Sequence, residues 1–318
     1  MNRGEAISVI ISTYNRAGML ERAMLSVLCQ DFDANRFELI VVDNNCTDST
    51  KEVVCRVKDT HKAHVIQYLV EPVQGLSAAR NAGVGAATGE LVAFMDDDSE
   101  AEPGWLSELW RVYHAFPDAA SVGGRILPEW VGGRPDWLPP VAETLSRLDL
   151  GEEIKEIPFP SHPFGGNLSV RKDAFERVGG FSIALGRKKK GYLSNEEKDF
   201  YHRLAEAGCG RVFYAPKAIV FHKVFRDKIT PRYLLSRFYW QGVSDAICEY
   251  QMNRPGRSRL FGNALTRIGK ILKVTYQLVR RDILGERGET LTTVIVLAYE
   301  LGQLRQEICA VIGLIARQ

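Results

Sequence analysis

The amino-acid sequence predicts an α/β protein built around a mostly parallel central sheet. Strand-like apolar runs alternate with helix-like segments through the first third of the 318 residues, and such alternation requires crossover helices between parallel strands. Three of these runs end in polar side chains, and ligands bind at the carboxyl ends of the strands in sheets of this class. A Rossmann-like domain with a ligand site at that edge is therefore expected.

The predicted strands and helices of the first half alternate without exception. Apolar and β-branched runs favour strands at residues 7–12, 37–42, 65–70 and 90–95. Apolar residues at helical spacing, or small residues, favour helices at residues 19–28, from Ser49 onward and at residues 75–87. Each predicted helix lies between two consecutive strands, as parallel pairing requires.

The second half is less regular and ends in helices. A helix is predicted at residues 105–116, a strand at 120–127, a Gly-, Pro- and Trp-rich loop at 129–140, and a short pair of strands at 215–222. Further helices are predicted from residue 195 and at residues 231–250, 260–279 and 291–315. We therefore expect a ligand-binding domain at residues 1–228 and a helical extension at residues 229–318.

Composition indicates an ordinary globular protein. Hydrophobic residues make up 45% of the chain and charged residues 25%, and the net charge of +2 gives no general attraction to nucleic acid. The six cysteines are scattered, without the spacing of a zinc or redox site, as in a cytoplasmic protein with reduced thiols. No signal peptide is recognised at the N-terminus, and no apolar stretch is long enough to span a bilayer.

The fourth predicted strand ends in three consecutive carboxylates, Asp96, Asp97 and Asp98. Strand alternation sends Asp96 and Asp98 to one side and Asp97 to the other. Two carboxylates held together repel each other unless a cation lies between them, and Mg²⁺ or Mn²⁺ takes such oxygen ligands. The alternative is a solvated acidic turn. Polar residues after the first two strands, Thr13 and Asp43, favour the binding site.

The turn after the first strand argues against two classes of nucleotide-binding protein. It contains neither the Gly-x-Gly-x-x-Gly pattern of dinucleotide-binding domains nor the Gly-Lys-Ser/Thr pattern of phosphate-loop ATPases. Dinucleotide oxidoreductases and phosphate-loop enzymes are therefore disfavoured.

Four segments together resemble family 2 glycosyltransferases, over roughly residues 6–225. They are the segments at residues 8–16, 41–44, 75–83 and 96–98, which occur in the family's order and with its spacing. The resemblance implies a GT-A fold, a nucleotide-sugar donor with UDP as the expected nucleotide, and inversion at the anomeric carbon. It implies an enzyme of the hexosyltransferase type, acting in polysaccharide or glycoconjugate synthesis.

The resemblance also assigns residues to the donor. The positions expected to bind the nucleotide sugar are Thr13, Tyr14, Asn15, Arg16, Asp43, Arg80, Asp96 and Asp97. Of the three consecutive carboxylates, Asp97 is the one most expected to be structural. Asp98, together with His222, is expected to bind Mg²⁺ or Mn²⁺, and Lys223 is an alternative contact for the diphosphate.

Other segments resemble the acceptor side of the family. Gly166 and Asn167 are expected to lie against a donor or acceptor sugar, and Trp137 is a candidate for stacking on one, although it could equally pack the loop. The acidic pair Glu196 and Glu197 begins a predicted helix. The resemblance makes Glu197 the general base that deprotonates the acceptor hydroxyl, with Glu196 as the second candidate.

The expected partners are a nucleotide-sugar donor and a glycan, lipid-linked or protein acceptor. The C-terminal helices are apolar and basic, with Lys270, Lys273, Arg280 and Arg281 suited to anionic headgroups. They are expected to cap the catalytic domain, to form a homo-oligomer, or to hold a cytoplasmic protein peripherally on the inner face of the membrane. Two alternative functions are a sugar nucleotidyltransferase and a non-catalytic nucleotide-sugar or glycan-binding module.

Overall fold

The computed structural model describes residues 7–188, 192–226, 229–283 and 290–312 and confirms the α/β class. The strands of these residues form a mixed sheet in the order β3-β2-β1-β4-β8-β6-β9-β5, with β7 paired to β9. They are β1 (Ile7–Thr13), β2 (Phe37–Asp43), β3 (Val65–Val70), β4 (Leu91–Asp96), β5 (Ser99–Ala101), β6 (Ala119–Val131), β7 (Lys155–Glu156), β8 (Asn167–Arg171) and β9 (Arg211–Phe225). Strands β1 to β4 are parallel, and β8 joins them antiparallel to β4.

Helices connect the parallel strands and extend the chain after the last strand. They are α1 (Ala17–Leu28), α2 (Thr50–Thr60), α3 (Leu76–Ala86), α4 (Trp105–Ala115), α5 (Lys172–Val178), α6 (Glu196–Glu206), α7 (Pro231–Asn253), α8 (Arg257–Ile283) and α9 (Thr290–Val311). The predicted elements of the first half match the observed ones to within three residues at each compared end.

Alternate residues of the central strands enter two separate apolar cores, one on each face of the sheet. In β1, Val9 and Ile11 join one core with α1, α2 and α4, whereas Ile10 joins the other with α3, α5 and α6. Because both faces are covered, these strands are apolar at nearly every position, as buried parallel strands are. The polar groups needed for function are therefore confined to the strand ends.

The register of the sheet aligns those polar ends at one edge. Thr13 pairs with Asp43 across β1 and β2, and Ser12 pairs with Asp96 across β1 and β4. The beginning of the antiparallel strand β8 lies at the same edge, because Asn167 pairs with Met95. The predicted convergence of polar residues at the carboxyl edge is confirmed.

Two predicted elements of the second half differ from the structure. The pair of strands predicted at residues 215–222 is part of one long strand, β9, which starts at Arg211. The predicted loop at residues 129–140 begins later, because β6 continues to Val131. Each of these long strands pairs with more than one neighbour: β6 pairs with β8 and β9, and β9 also pairs with the short strands β5 and β7.

Packing divides the chain into two compact units. The first contains residues up to 130, 144–184 and 196–224, and the second contains residues 131–143, 185–195 and the chain from 225 onward. Within the second unit, α9 packs against both α7 and α8. Among the residues that the structure describes, no helix is long and apolar enough to cross a membrane.

A buried carboxylate, Glu38, stabilises the edge of the sheet that lies opposite to the polar strand ends. Glu38 accepts hydrogen bonds from Ser8 Oγ at 2.7 Å, from Gln67 Nε2 at 2.6 Å and from the Thr88 backbone N–H at 2.7 Å. Burial alone would raise its pKa, but these donors outweigh burial and lower the pKa below the ordinary value of 4.5.

We predict that Glu38→Gln lowers the free energy of unfolding at pH 7 by about 1–3 kcal/mol, because an amide N–H would face other donors. A lowered native-state pKa stabilises the fold above pH 4.5, and this contribution is lost as the pH falls through the native pKa. Urea unfolding of the wild type and the variant, at pH 7 and at more acidic pH, measures the difference between their free energies of unfolding. This difference should become smaller in acid. Glu52→Gln, at an exposed position on α2, is the control. An equal loss in both variants would contradict the prediction.

Candidate active site

The first cluster of the site forms around Arg16, in the turn after β1. Arg16 Nη1 donates to Asp97 Oδ1 at 2.9 Å and also contacts Asp98 Oδ2. Thr13 Oγ1 donates to Asp97 Oδ2 at 2.8 Å. Burial would lower the pKa of Arg16, but the two carboxylates raise it on balance. Residues from the ends of β1 and β4 are thereby joined at the polar edge.

The alternation predicted for the three carboxylates is wrong beyond Asp96. Strand β4 ends at Asp96 and the next two residues form a turn, so Asp97 and Asp98 both contact Arg16 instead of pointing to opposite sides. Asp97 is buried, as a structural carboxylate would be. Desolvation raises its pKa to about 6, the Arg16 charge opposing that rise.

Asp98 lies beside His222. Strand β5 follows Asp98 immediately, and its first residue, Ser99, pairs with His222 on β9. This register brings His222 Nε2 to 3.5 Å from Asp98 Oδ1. The neighbouring Lys223 is instead buried against the carboxylate of Glu100, so the alternative that Lys223 contacts a diphosphate is not supported.

The second cluster forms around Arg80 of α3, whose side chain is buried. Its Nη1 donates to Glu197 Oε1 at 2.9 Å and to Glu196 Oε1 at 3.2 Å, and its Nη2 lies 3.4 Å from Asp96 Oδ1. The guanidinium also lies over the ring of Phe181, at 5.7 Å from the centroid. Arg80 therefore organises carboxylates inside the protein, and its predicted contact with the nucleoside and phosphates is not what this geometry favours.

The same guanidinium keeps Glu197 ionised. Burial would raise the pKa of this carboxyl, but the charge of Arg80, and then that of His162, outweigh burial and lower the pKa below the ordinary value of 4.5. Glu197 is therefore a carboxylate, able to accept a proton, at neutral pH.

Two glycines make room for this cluster. A Cβ atom at Gly165 would lie 2.1 Å from Glu197 Oε1 and 2.3 Å from Arg80 Nη2, and one at Gly166 would lie 2.8 Å from Asp96 Oδ2. Gly166 was expected to approach a sugar. In the structure it approaches a carboxylate of the site, which any larger residue would displace.

The turns after β1 and β2 are fastened to each other. Asn15, with a positive φ of 52°, accepts a hydrogen bond from the Thr47 backbone N–H at 2.7 Å. Asp43 accepts from the Cys46 N–H at 2.7 Å and from the Tyr68 hydroxyl at 2.5 Å. Asp43 is buried and Asn15 is exposed. Tyr14, between Thr13 and Asn15, is partly exposed at the same edge.

The prediction for Asn167 is wrong. Its side chain has 0% exposure, and its three hydrogen bonds are internal. Oδ1 accepts from Trp105 Nε1 at 2.8 Å, and Nδ2 donates to the carbonyl oxygens of Arg125 at 2.8 Å and Ala218 at 2.9 Å. Asn167 therefore joins β6, β9 and α4 and is not placed to contact a sugar hydroxyl.

Two further aromatic residues, Trp137 and His162, are relevant to the site. Trp137 belongs to the second unit and is exposed, so its role in sugar stacking stays a prediction. His162 was missed. It stacks on Tyr201, with ring centroids 5.7 Å apart, and its charge contributes to lowering the pKa of Glu197. Its position four residues before Gly166 was the available signal.

The fold is similar to that of two solved structures. A mannosyltransferase from Pyrobaculum calidifontis, solved with GDP-Man and Mn²⁺, superposes with a TM-score of 0.63 at 17% identity, over 96% of this chain and 87% of that one. Residues 1–349 of S. aureus TarS, solved with UDP, superpose with a TM-score of 0.54 at 18% identity, over 98% of this chain and 93% of that one.

Sequence comparison identifies the family. The model described as Glycosyl transferase family 2 matches residues 8–179. The glucosyl-dolichyl phosphate glucuronosyltransferase of Haloferax volcanii is 32% identical over 250 residues, 76% of this chain and 77% of that protein. The GalNAc(5)-diNAcBac-PP-undecaprenol beta-1,3-glucosyltransferase of Campylobacter jejuni is 33% identical over 69% of this chain and 63% of that protein. The chain belongs to glycosyltransferase family 2 and is a glycosyltransferase.

We predict that Gly165→Ala lowers kcat/KM by about 10²-fold while the protein stays folded, because the new methyl group displaces Glu197 and Arg80 by roughly 1 Å. Steady-state kinetics and circular dichroism measure the two effects. Gly85→Ala on α3 is the matched control, since a Cβ there meets nothing within 4 Å. Unchanged kinetics in Gly165→Ala would contradict a crowded carboxylate cluster.

Proposed function

We propose that the protein is an inverting glycosyltransferase that moves a sugar from a UDP-linked donor to a hydroxyl acceptor carried on a lipid. The observation that carries this proposal is the double contact of Arg80, which joins the ionised Glu197 to Asp96 at the start of the acidic turn. One guanidinium therefore holds both Glu197, the candidate base, and Asp96, a candidate residue of the donor site.

The donor side is formed by the ends of the three parallel strands. Thr13, Tyr14, Asn15 and Asp43 lie on or directly after β1 and β2, where nucleotides bind in sheets of this type. Asp96 is the contact proposed for ribose or for the ion. Arg16 supplies a half-exposed guanidinium that can meet a phosphate.

The residues beside Asp98 fit a divalent ion. Asp98 Oδ1 and His222 Nε2 lie 3.5 Å apart, so these two atoms would hold a divalent ion together. No group of three or more His, Cys, Asp or Glu side chains that could hold an ion occurs within the described residues, so the remaining ligands are proposed to be diphosphate oxygens and water. When bound, Mg²⁺ or Mn²⁺ neutralises charge on the leaving diphosphate. An imidazole ligand favours Mn²⁺.

Glu197 is proposed to be the general base. Its lowered pKa leaves it ionised at neutral pH, and 15% of its side chain is exposed. Glu196 contacts the same guanidinium nitrogen, but its side chain is only 4% exposed, so an acceptor hydroxyl reaches Glu197 more readily. Proton transfer to Glu197 generates the attacking oxygen, and a single displacement inverts the anomeric carbon.

The acceptor is proposed to be lipid-linked for two reasons. The two relatives described above are named for dolichyl phosphate and undecaprenol substrates. In addition, an open cavity of about 390 Å³ adjoins His162, which lies near Glu197. Its lining contains Lys155, Glu156 and Ser161 but is mostly apolar, with Leu148, Leu150, Ile157, Pro158 and Phe164. A mostly apolar lining suits the chain that follows a lipid phosphate better than a polar glycan.

The catalytic domain is proposed to lie within residues 1–228, because every residue of the two clusters belongs to the first compact unit. The helical region from residue 229 onward is proposed to associate peripherally with the cytoplasmic face of a membrane, where a lipid-linked acceptor resides.

We predict that UDP is released from one UDP-sugar in a panel of nucleotide sugars when Mn²⁺ and a short-chain prenyl phosphate that carries a sugar, and hence an acceptor hydroxyl, are present. Chelation with EDTA should abolish the release, and NMR of the product should show inverted anomeric configuration. Retained configuration would contradict the mechanism. Pyrophosphate release from a nucleoside triphosphate and a sugar phosphate would support a nucleotidyltransferase instead.

Variants of α6 test the base in the same assay. Glu197→Gln should lower kcat by about 10²–10⁴-fold with little change in the donor KM. Glu196→Gln should have the smaller effect, and Glu206→Gln, at an exposed position on α6, should behave as wild type. Full activity in Glu197→Gln would remove it from the mechanism.

We predict that Arg80→Met moves the acid limb of the kcat/KM profile to higher pH. Arg80 lowers the pKa of Glu197 against the opposing effect of burial, so its loss raises that pKa, and the base becomes protonated at less acidic pH. The pH dependence of kcat/KM measures the shift. Arg177→Met, at an exposed position on α5, should leave the acid limb unchanged. A uniformly lower profile without a shift would show that Arg80 acts through structure alone.

A further inference from the structure

Helix α8 has one side that is packed within the second unit. Its more buried residues recur every three or four positions and are Leu260, Ala264, Arg267, Ile271, Val274 and Leu278. Arg267 on this side contacts Glu300 and Glu307 of α9, at 3.0 Å and 3.4 Å. This side therefore forms the contact between α8 and α9. Its apolar residues are sufficient for packing the helix.

A second apolar side of α8 faces solvent, and we name it the α8 stripe. It consists of Phe261, Leu265, Ile268, Leu272, Tyr276 and Val279, which are between 41% and 67% exposed. Spacings of three and four residues place them on one face, roughly 100° around the helix from the packed side. Single exposed apolar residues are common on protein surfaces, but six large ones on one face form a contiguous patch. Such a patch marks an interaction surface.

Basic residues border the α8 stripe. Lys273 directly follows Leu272 and Arg280 directly follows Val279, so each lies about 100° around the helix from its neighbour, at the edge of the stripe. Arg259 and Lys270 are exposed further around the helix. The side chain of Arg281 lies outside the described residues. The sequence from residue 257 to 281 contains no Asp or Glu.

We propose that the α8 stripe docks on an anionic membrane surface, with α8 lying in the plane of the interface. An exposed apolar face with a basic border is the pattern of helices that lie at the boundary between headgroups and acyl chains. The aliphatic stems of Lys273 and Arg280 extend along the apolar face while their charges reach the phosphates. No described helix is suited to span the bilayer, so the contact is peripheral.

The charged residues beside the α8 stripe argue against a second copy of the chain binding to it. Helices that pair through an apolar seam usually place opposite charges beside it. In α8, the charged residues directly beside the stripe are Lys273 and Arg280, and no acidic residue occurs from 257 to 281. Two copies would therefore bring like charges together, whereas anionic headgroups neutralise them. This inference stands on α8 alone and does not depend on the proposed catalytic mechanism.

Co-sedimentation of the full chain with phosphatidylcholine vesicles, with or without 30% phosphatidylglycerol, tests the proposal. Wild-type protein should partition at least about tenfold more strongly onto the anionic vesicles. The triple variant Leu265→Ser, Leu272→Ser, Tyr276→Ser and, separately, the double variant Lys273→Glu, Arg280→Glu should each lower that partition by about tenfold or more. The double variant should lose its preference for anionic vesicles.

Matched variants elsewhere control for general apolar and charge effects. Ile183→Ser and Val73→Ser remove exposed apolar residues, and Lys58→Glu with Lys62→Glu reverses two exposed charges on and after α2. These should bind vesicles as wild type does, and circular dichroism should show that every variant is folded. Equal binding to neutral and anionic vesicles, or wild-type binding by both α8 variants, would overturn the proposal. A wild-type dimer in light scattering that the triple variant converts to monomer would assign the stripe to a second copy instead.

Discussion

The site depends on a positive charge that is buried inside the protein. Arg80 has 3% of its surface exposed, and removing a guanidinium from water costs several kcal/mol unless ionised partners surround it. Glu196, Glu197 and Asp96 supply those partners. Removing one partner of such a buried group typically costs about 3–5 kcal/mol, so the helix that carries the acidic pair and the helix that carries Arg80 are fastened to each other through charge. The glycines at 165 and 166 leave the room that this contact needs.

Much of the fold could be predicted from the sequence because its central strands are covered on both faces. Such strands are apolar throughout, and polar residues occur only where a strand ends. The run from Leu91 to Met95 followed by three carboxylates therefore located both the strand and the functional edge. The antiparallel half was harder to predict, since β9 contains Pro216 and polar residues within one long strand, and periodicity alone divided it into shorter pieces.

The candidate site was predictable as a set of residues but not as a set of contacts. Arg80 meets partners 116 and 117 positions further along the chain, and no local pattern shows that an arginine on a small-residue helix will be buried beside them. Asn167 has the residue type and setting of a ligand contact, yet its amide satisfies two carbonyl groups and an indole that only the assembled sheet brings together. Asp98 departed from strand alternation because the strand ends two residues earlier.

The two arginines of the site have different exposure, and this separates their roles. The Arg80 side chain is 4% exposed and its partners are protein carboxylates, whereas the Arg16 side chain is 37% exposed and bridges Asp97 and Asp98 at the solvent side. Water reaches the Arg16 side chain although Asp97 and Asp98 are only 8% and 13% exposed, so exchanging a partner of Arg16 costs less than exchanging a partner of the buried Arg80. A phosphate or a divalent ion, if bound as proposed, would therefore displace part of the Arg16 pairing, while the buried Arg80 pairing stays intact. The acidic turn can thus rearrange around a ligand on one side while Glu197 is held in place on the other.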